Sequence, residues 1–196
     1  MKLVYGHGVN DSSIKQQHFV DGKLVGLCPA YRDWKDMLKR CYSAKYHALQ
    51  PTYIGKTVCD EWKLFSNFKL WHDNNYVIGY ALDKDLLFVG NSVYSPDTCL
   101  FVPRWLNNFT TERKAKRGGT PIGVCEYKIS GKYGAFIHVE GKNVYLGQYE
   151  TADEAHLAWL NAKLELVKSL KLKLDLIDSR LYDCLVKKYE NYKGDY

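Results

Sequence analysis

Apolar positions along this chain change period several times, and each change marks a structural element. Residues 1–30 keep no steady period, which predicts a loose N-terminal arm with one hairpin around "VDGKLV". From Tyr31 the pattern becomes helical. Trp34, Met37, Leu38 and Cys41 share one face, predicting a short amphipathic helix that stops near Tyr46. In "DEWKLFSNFKLWHDNN" the aromatics Trp62, Phe65, Phe68 and Trp71 recur every third residue, predicting a second helix that supplies the core of a first domain. Gly79 ends that pattern. "YALDKDLLF" then reads as a strand, "GNSVYSPDT" as turn chemistry, "CLFVP" as a return strand and "RWLNNF" as a closing helix or turn. Strand, turn, strand, helix is a ββα arrangement in miniature.

The second half is patterned differently. "TTERKAKRGGTP" is polar and ends in Gly-Gly and proline, the composition of an interdomain linker over residues 110–120. Three strand-like runs follow, "IGVCEYKI", "YGAFIHVE" and "NVYLGQYE", joined by the glycine turns "SGK" and "GK". Thr151 and Glu154 have capping-box spacing ahead of the amphipathic run "ADEAHLAWLNAKLELVKSL". Alternation places Tyr133, Ala135, Ile137 and Val139 on one face of the second strand and Gly134, Phe136 and His138 on the other. In the third strand, Val144 and Leu146 oppose Asn143 and Tyr145. The apolar set fits a helix face containing Ala155, Leu157 and Ala158, so Tyr127, Phe136, His138, Asn143 and Tyr145 are expected to point outward. Residues 172–196 read as one further helix.

Charge gives the open sheet face a meaning. The chain of 196 residues has a formal net charge of +6, and the excess is uneven. Residues 110–147 hold seven basic side chains against three acidic ones, whereas residues 148–196 hold eight against nine. The basic residues of that middle stretch are Arg113, Lys114, Lys116 and Arg117 in the linker and Lys128, Lys132 and Lys142 at the strand ends. A sheet face of aromatic, amide and imidazole groups flanked by lysines matches the needs of a β-ribbon reader of the major groove, with the linker as a phosphate-contacting arm. Its other use would be as a second packing surface against the first domain. The six cysteines form no CxxC pair and read as small buried hydrophobes, or as a zinc site gathered in space from Cys41, Cys59 and Cys99. No leader or long apolar run is present, so the expected location is cytoplasmic, with no membrane partner.

The run from Pro121 to Val167 resembles the DNA-binding domain of the plant ethylene-response-factor (APETALA-two) family. The matching elements are Gly123-Val124, the Gly131-Lys132 turn, Leu146-Gly147, Tyr149, Thr151 and Glu154-Ala155. That resemblance implies major-groove reading by the three-stranded sheet. The plant domains read mostly with arginine and tryptophan, however, and here Cys125, Tyr127, His138, Asn143 and Tyr145 stand at such positions.

The segments "YRDWKDMLKRCYSAKY" and "PTYIGKTVCDEW", with the opening residues, resemble HNH-type endonucleases of phages and prophages that carry such a domain at the C-terminus. The resemblance implies an α+β protein: an arm at 1–30, an HNH-like domain at 31–109, the linker, the sheet-and-helix domain at 121–171 and the C-terminal helix. It also implies a site in the ββα unit, where an Asp-His pair would read Asp83-Lys84, the asparagine after the turn reads Thr98, and Asn107 or Asn108 could supply the third element. Lysine is a poor general base, and losing such a base costs ~10² to 10⁴ in rate. The candidate catalytic residues are thus Asp83, Lys84 and Asn107, with Asp83 and Asp85 as oxygen ligands for Mg²⁺ or another divalent cation. Three uses of this stretch stand open: a working metal site, a degenerate nuclease kept for binding, and a structural turn. The leading expectation is a phage-type protein that binds double-stranded DNA. An active HNH endonuclease of homing type and a protein-interaction module that blocks a host factor are the alternatives.

Overall fold

The computed structural model describes residues 3–111 and 119–192, and the chain divides into two compact units, Met1–Asn108 and Phe109–Tyr196. The class is α+β, as expected. Among the described residues no helix is long and apolar enough to cross a membrane.

Unit 1 opens with a hairpin, β1 (Gln17–Val20) and β2 (Lys23–Leu27), at the predicted place. The described residues before it are not a loose arm. Val9 bridges Leu64, the Asp11 carboxylate accepts hydrogen bonds from the amide and hydroxyl of Ser66, and Val4 and Tyr5 pack on the core. Helix α1 (Pro29–Tyr42) starts on Pro29, whose missing N–H is no loss in a first turn, and carries Lys39 and Arg40 where the helix dipole favours cations. It ends earlier than expected. Ser43 is extended, and its hydroxyl accepts from the Tyr46 amide to start a separate helix, α2 (Ala44–Leu49).

The predicted second helix is likewise split into a 3₁₀ turn at Glu61–Lys63 and α3 (Phe65–Asn75), with Leu64 extended between them. Trp34, Trp62, Phe65 and Phe68 are fully buried, and the Trp34 indole donates to the Trp62 carbonyl at 2.7 Å. Strand β3 (Thr57–Val58) pairs in parallel with β5 (Val93–Tyr94). Strand β4 (Tyr80–Asp83) pairs antiparallel with β6 (Leu100–Pro103), and α4 (Arg104–Thr110) follows at once. The ββα order is therefore present, although the first strand stops at Asp83 rather than running to Phe88.

Unit 2 is built on β7 (Val124–Tyr127), β8 (Lys132–Val139) and β9 (Lys142–Tyr149), an antiparallel sheet in that spatial order. Helix α5 (Ala152–Ser169) packs against it. The capping box forms: the Thr151 hydroxyl accepts from the Glu154 amide at 3.2 Å, and the Glu154 carboxylate accepts from the Thr151 amide at 3.1 Å.

Ala135 and Ile137 of β8 are buried on the helix side with Ala155 and Trp159, as the alternation requires. Leu157 is not part of this face. It is 56% exposed, and the buried lane of α5 runs through Ala155, Trp159, Lys163 and Val167. Lys163 is accommodated there because its ammonium donates to the Phe109 carbonyl at 2.7 Å and lies 3.3 Å from the centre of the Phe109 ring. The tail is two helices, α6 (Lys171–Asp175) and α7 (Leu181–Glu190), and α7 packs on α5 through buried Leu181, Leu185 and Tyr189.

Candidate nucleic-acid interface

Cross-strand register decides which side chains share the face turned away from α5. Tyr127 pairs with Lys132, Cys125 with Gly134, Gly134 with Gln148, Phe136 with Tyr145 and His138 with Asn143. Paired residues lie on one side of a sheet. The outward set expected from alternation is thus assembled, and Cys125 and Gln148 join it.

A bulge sets this arrangement. The register shifts between Ala135 and Phe136, so Ala135 faces Gly147 while Phe136 faces Tyr145, and Leu146 is the extra residue. Gly147, at φ 141°, supplies the backbone freedom for it. Alternation run straight through β9 would have placed Tyr149 outward and Gln148 inward; the glycine inside a strand pattern was the available signal.

The geometry of the face is specific. A Cβ on Gly134 would lie 2.5 Å from the Tyr127 hydroxyl and 2.9 Å from the Phe136 ring, so the absence of a side chain there leaves room for both rings over the central strand. The Phe136 and Tyr145 ring centres are 5.3 Å apart, continuing the aromatic strip onto β9. At the end of the strip His138 Nδ1 is 2.9 Å from Asn143 Oδ1. His138, Asn143 and Tyr145 are exposed, and Phe136 and Tyr127 are half-buried.

Charge sits at the margins of the strip. Lys128 is exposed at the turn after β7, Lys132 pairs with Tyr127 on the outward side, and exposed Lys142 pairs with Val139 and so starts β9 on the α5 side. Lys132 holds an ion pair with Glu150 at 2.5 Å, so a phosphate would have to compete with a carboxylate for it. Arg113, Lys114, Lys116 and Arg117 lie outside the described residues.

The loop after β4 is held by its own side chains. Asp83 Oδ1 accepts from the amides of Asp85 and Leu86 at 2.8 and 2.9 Å, closing an Asx-type turn. Lys84 is 3% exposed; its ammonium donates to Asp85 Oδ1 at 2.5 Å and to the Asn91 carbonyl at 3.1 Å, where Lys56 also donates. The Asn91 side-chain amide returns to the carbonyls of Lys84 and Val93, and the Thr98 hydroxyl donates to the Val93 carbonyl. Burial pushes the Asp83 pKa up, against the two amides that lower it.

As arranged, these residues do not fit a divalent cation. One oxygen of each carboxylate is engaged, and a buried ammonium stands against Asp85 where the cation would bring more positive charge. Among the described residues no group of three or more His, Cys, Asp or Glu side chains is placed to hold a metal, the set Cys41, Cys59 and Cys99 included. Burial pushes the Cys41 and Cys99 thiols up to about 12, which suits packing rather than ligation. Asn107 lies half-buried on α4. Three histidines of unit 1 serve packing. His7 stacks on Tyr42, His47 bonds the Arg40 carbonyl, and buried His72 meets Asp33 at 3.2 Å.

No protein-family model, curated protein or solved structure matches this chain.

Proposed function

We propose that this protein binds double-stranded DNA through the outward face of β7, β8 and β9. The observation that carries the reading is the outward strip of half-buried Tyr127 and Phe136 and exposed Tyr145, continued by the His138–Asn143 pair, with Lys128 at the adjoining turn and Lys132 beside Tyr127 on the same side. A β-ribbon fits the major groove, lysines at the turns would reach phosphates, and the central side chains would meet base edges. The basic segment around Arg113 to Arg117 would add phosphate contacts once the sheet has docked.

Unit 1 is read as a nuclease-like scaffold kept for binding. The β4, β6, α4 order supports the scaffold, and the bonds made by Asp83 and Lys84 within their own loop support a structural use of that stretch. The test is purified protein incubated with supercoiled plasmid, with Mg²⁺, with Mn²⁺ and with chelator, on gels run with and without deproteinisation. The expected result is retarded but intact plasmid, independent of metal and lost at high salt. Metal-dependent nicking that disappears in Asp83→Ala would overturn this reading in favour of an active endonuclease. Absence of plasmid binding would overturn it in favour of a protein-interaction role.

A further inference from the structure

The outward face carries one mutually oriented pair of hydrogen-bonding groups. His138 and Asn143 are opposite one another across β8 and β9, and the ring Nδ1 lies 2.9 Å from the amide Oδ1. An amide oxygen only accepts, so Nδ1–H donates and Nε2 of the neutral ring is left as an acceptor. Asn143 Nδ2 is left as a donor. Both side chains are exposed, and neither atom has a partner among the described residues. The pair therefore displays one acceptor and one donor, each oriented by the bond that joins the two side chains.

In the major groove, a single purine that answers both groups must be adenine. Its N6 amino group donates to Nε2 and its N7 accepts from Nδ2, whereas guanine offers two acceptors, O6 and N7, one of which would face Nε2. The neighbouring rings of Phe136 and Tyr145 add an apolar surface of the kind that packs on the thymine methyl group. Arginine, the usual bidentate reader of guanine, is absent from residues 124–149.

We propose that this face reads A·T base pairs, with His138 and Asn143 holding the adenine edge and Phe136 and Tyr145 packing on the thymine 5-methyl. The proposal rests on the DNA-binding reading above. Its test is selection of bound sequences from randomised duplexes by the full chain, followed by base analogues in the selected duplex. A·T pairs should be enriched. Replacing the contacted adenine by 7-deazaadenine, which lacks the N7 acceptor, or thymine by uracil, which lacks the methyl, should weaken binding. Guanine at the contacted position should bind about 5- to 150-fold less well than adenine, and Asn143→Ala should erase that difference.

The analogue arm needs no variant protein, so a folding defect in Asn143→Ala cannot imitate the result. Duplex binding with no A·T enrichment, enrichment of G·C pairs instead, or a preference untouched by both 7-deazaadenine and Asn143→Ala would overturn this proposal alone. Absence of duplex binding would overturn the functional reading as well.

Discussion

Asp83 sits at the end of β4 with one carboxylate oxygen taken by the amides of Asp85 and Leu86. Burial raises its pKa in spite of those bonds. The folded state therefore binds this proton more tightly than the unfolded state does. The stabilisation from that difference is fully present below the ordinary aspartate range and is lost as pH rises through the elevated value. At neutral pH the ionised group is a net cost, and an amide could accept the same two N–H groups without charge. Asp83→Asn is thus expected to be at least as stable as the parent near neutral pH, with its relative advantage shrinking in acid. Urea unfolding at a series of pH values measures this; an advantage that grows as pH falls would contradict it.

At the scale of elements, the helix start at Thr151 was fully written in the sequence. Its two reciprocal bonds are local, and Thr151→Ala should cost about 1 kcal/mol, read as a lower urea midpoint with an unchanged slope. The strands of unit 2 were legible for the same reason, since period-two alternation and glycine turns are short-range signals. Leu64 was not. It is held extended because Val9 lies alongside, donating to the Lys63 carbonyl at 2.8 Å and accepting from the Phe65 amide at 3.0 Å, and nothing near residue 64 announces a partner 55 positions away. Ser43 was an available cap signal, overridden by the helical spacing on either side of it. Leu157 failed for another reason. Helix α5 has leucines on several sides, while its buried lane includes His156 and Lys163, so hydrophobicity alone could not choose the face. The outward site was legible as a set of residues, but the bulge at Leu146 and Gly147 and the pairing of His138 with Asn143 depend on register, which alternation does not supply.

For the whole molecule, the proposed binding combines electrostatic attraction at the sheet edges with an aromatic and polar face. If about five basic side chains neutralise phosphates, log affinity for duplex DNA should fall with log salt at a slope of roughly −4 to −5. Lys132 should contribute less than Lys128, because Glu150 already compensates it. Removing Lys128 should reduce the slope by about one and weaken all sequences alike, with fluorescence anisotropy as the readout. A flat salt response would point to an uncharged partner surface.

The most direct test of the central claim is a map of amide and side-chain NMR shifts as a short DNA duplex is added to the full chain. If the outward face binds DNA, the largest changes fall at Tyr127, Phe136, His138, Asn143 and Tyr145 and at the Lys128 and Lys142 turns, with the buried lane of α5 unaffected. Changes that leave these residues untouched and gather elsewhere, or no changes at all, would contradict it.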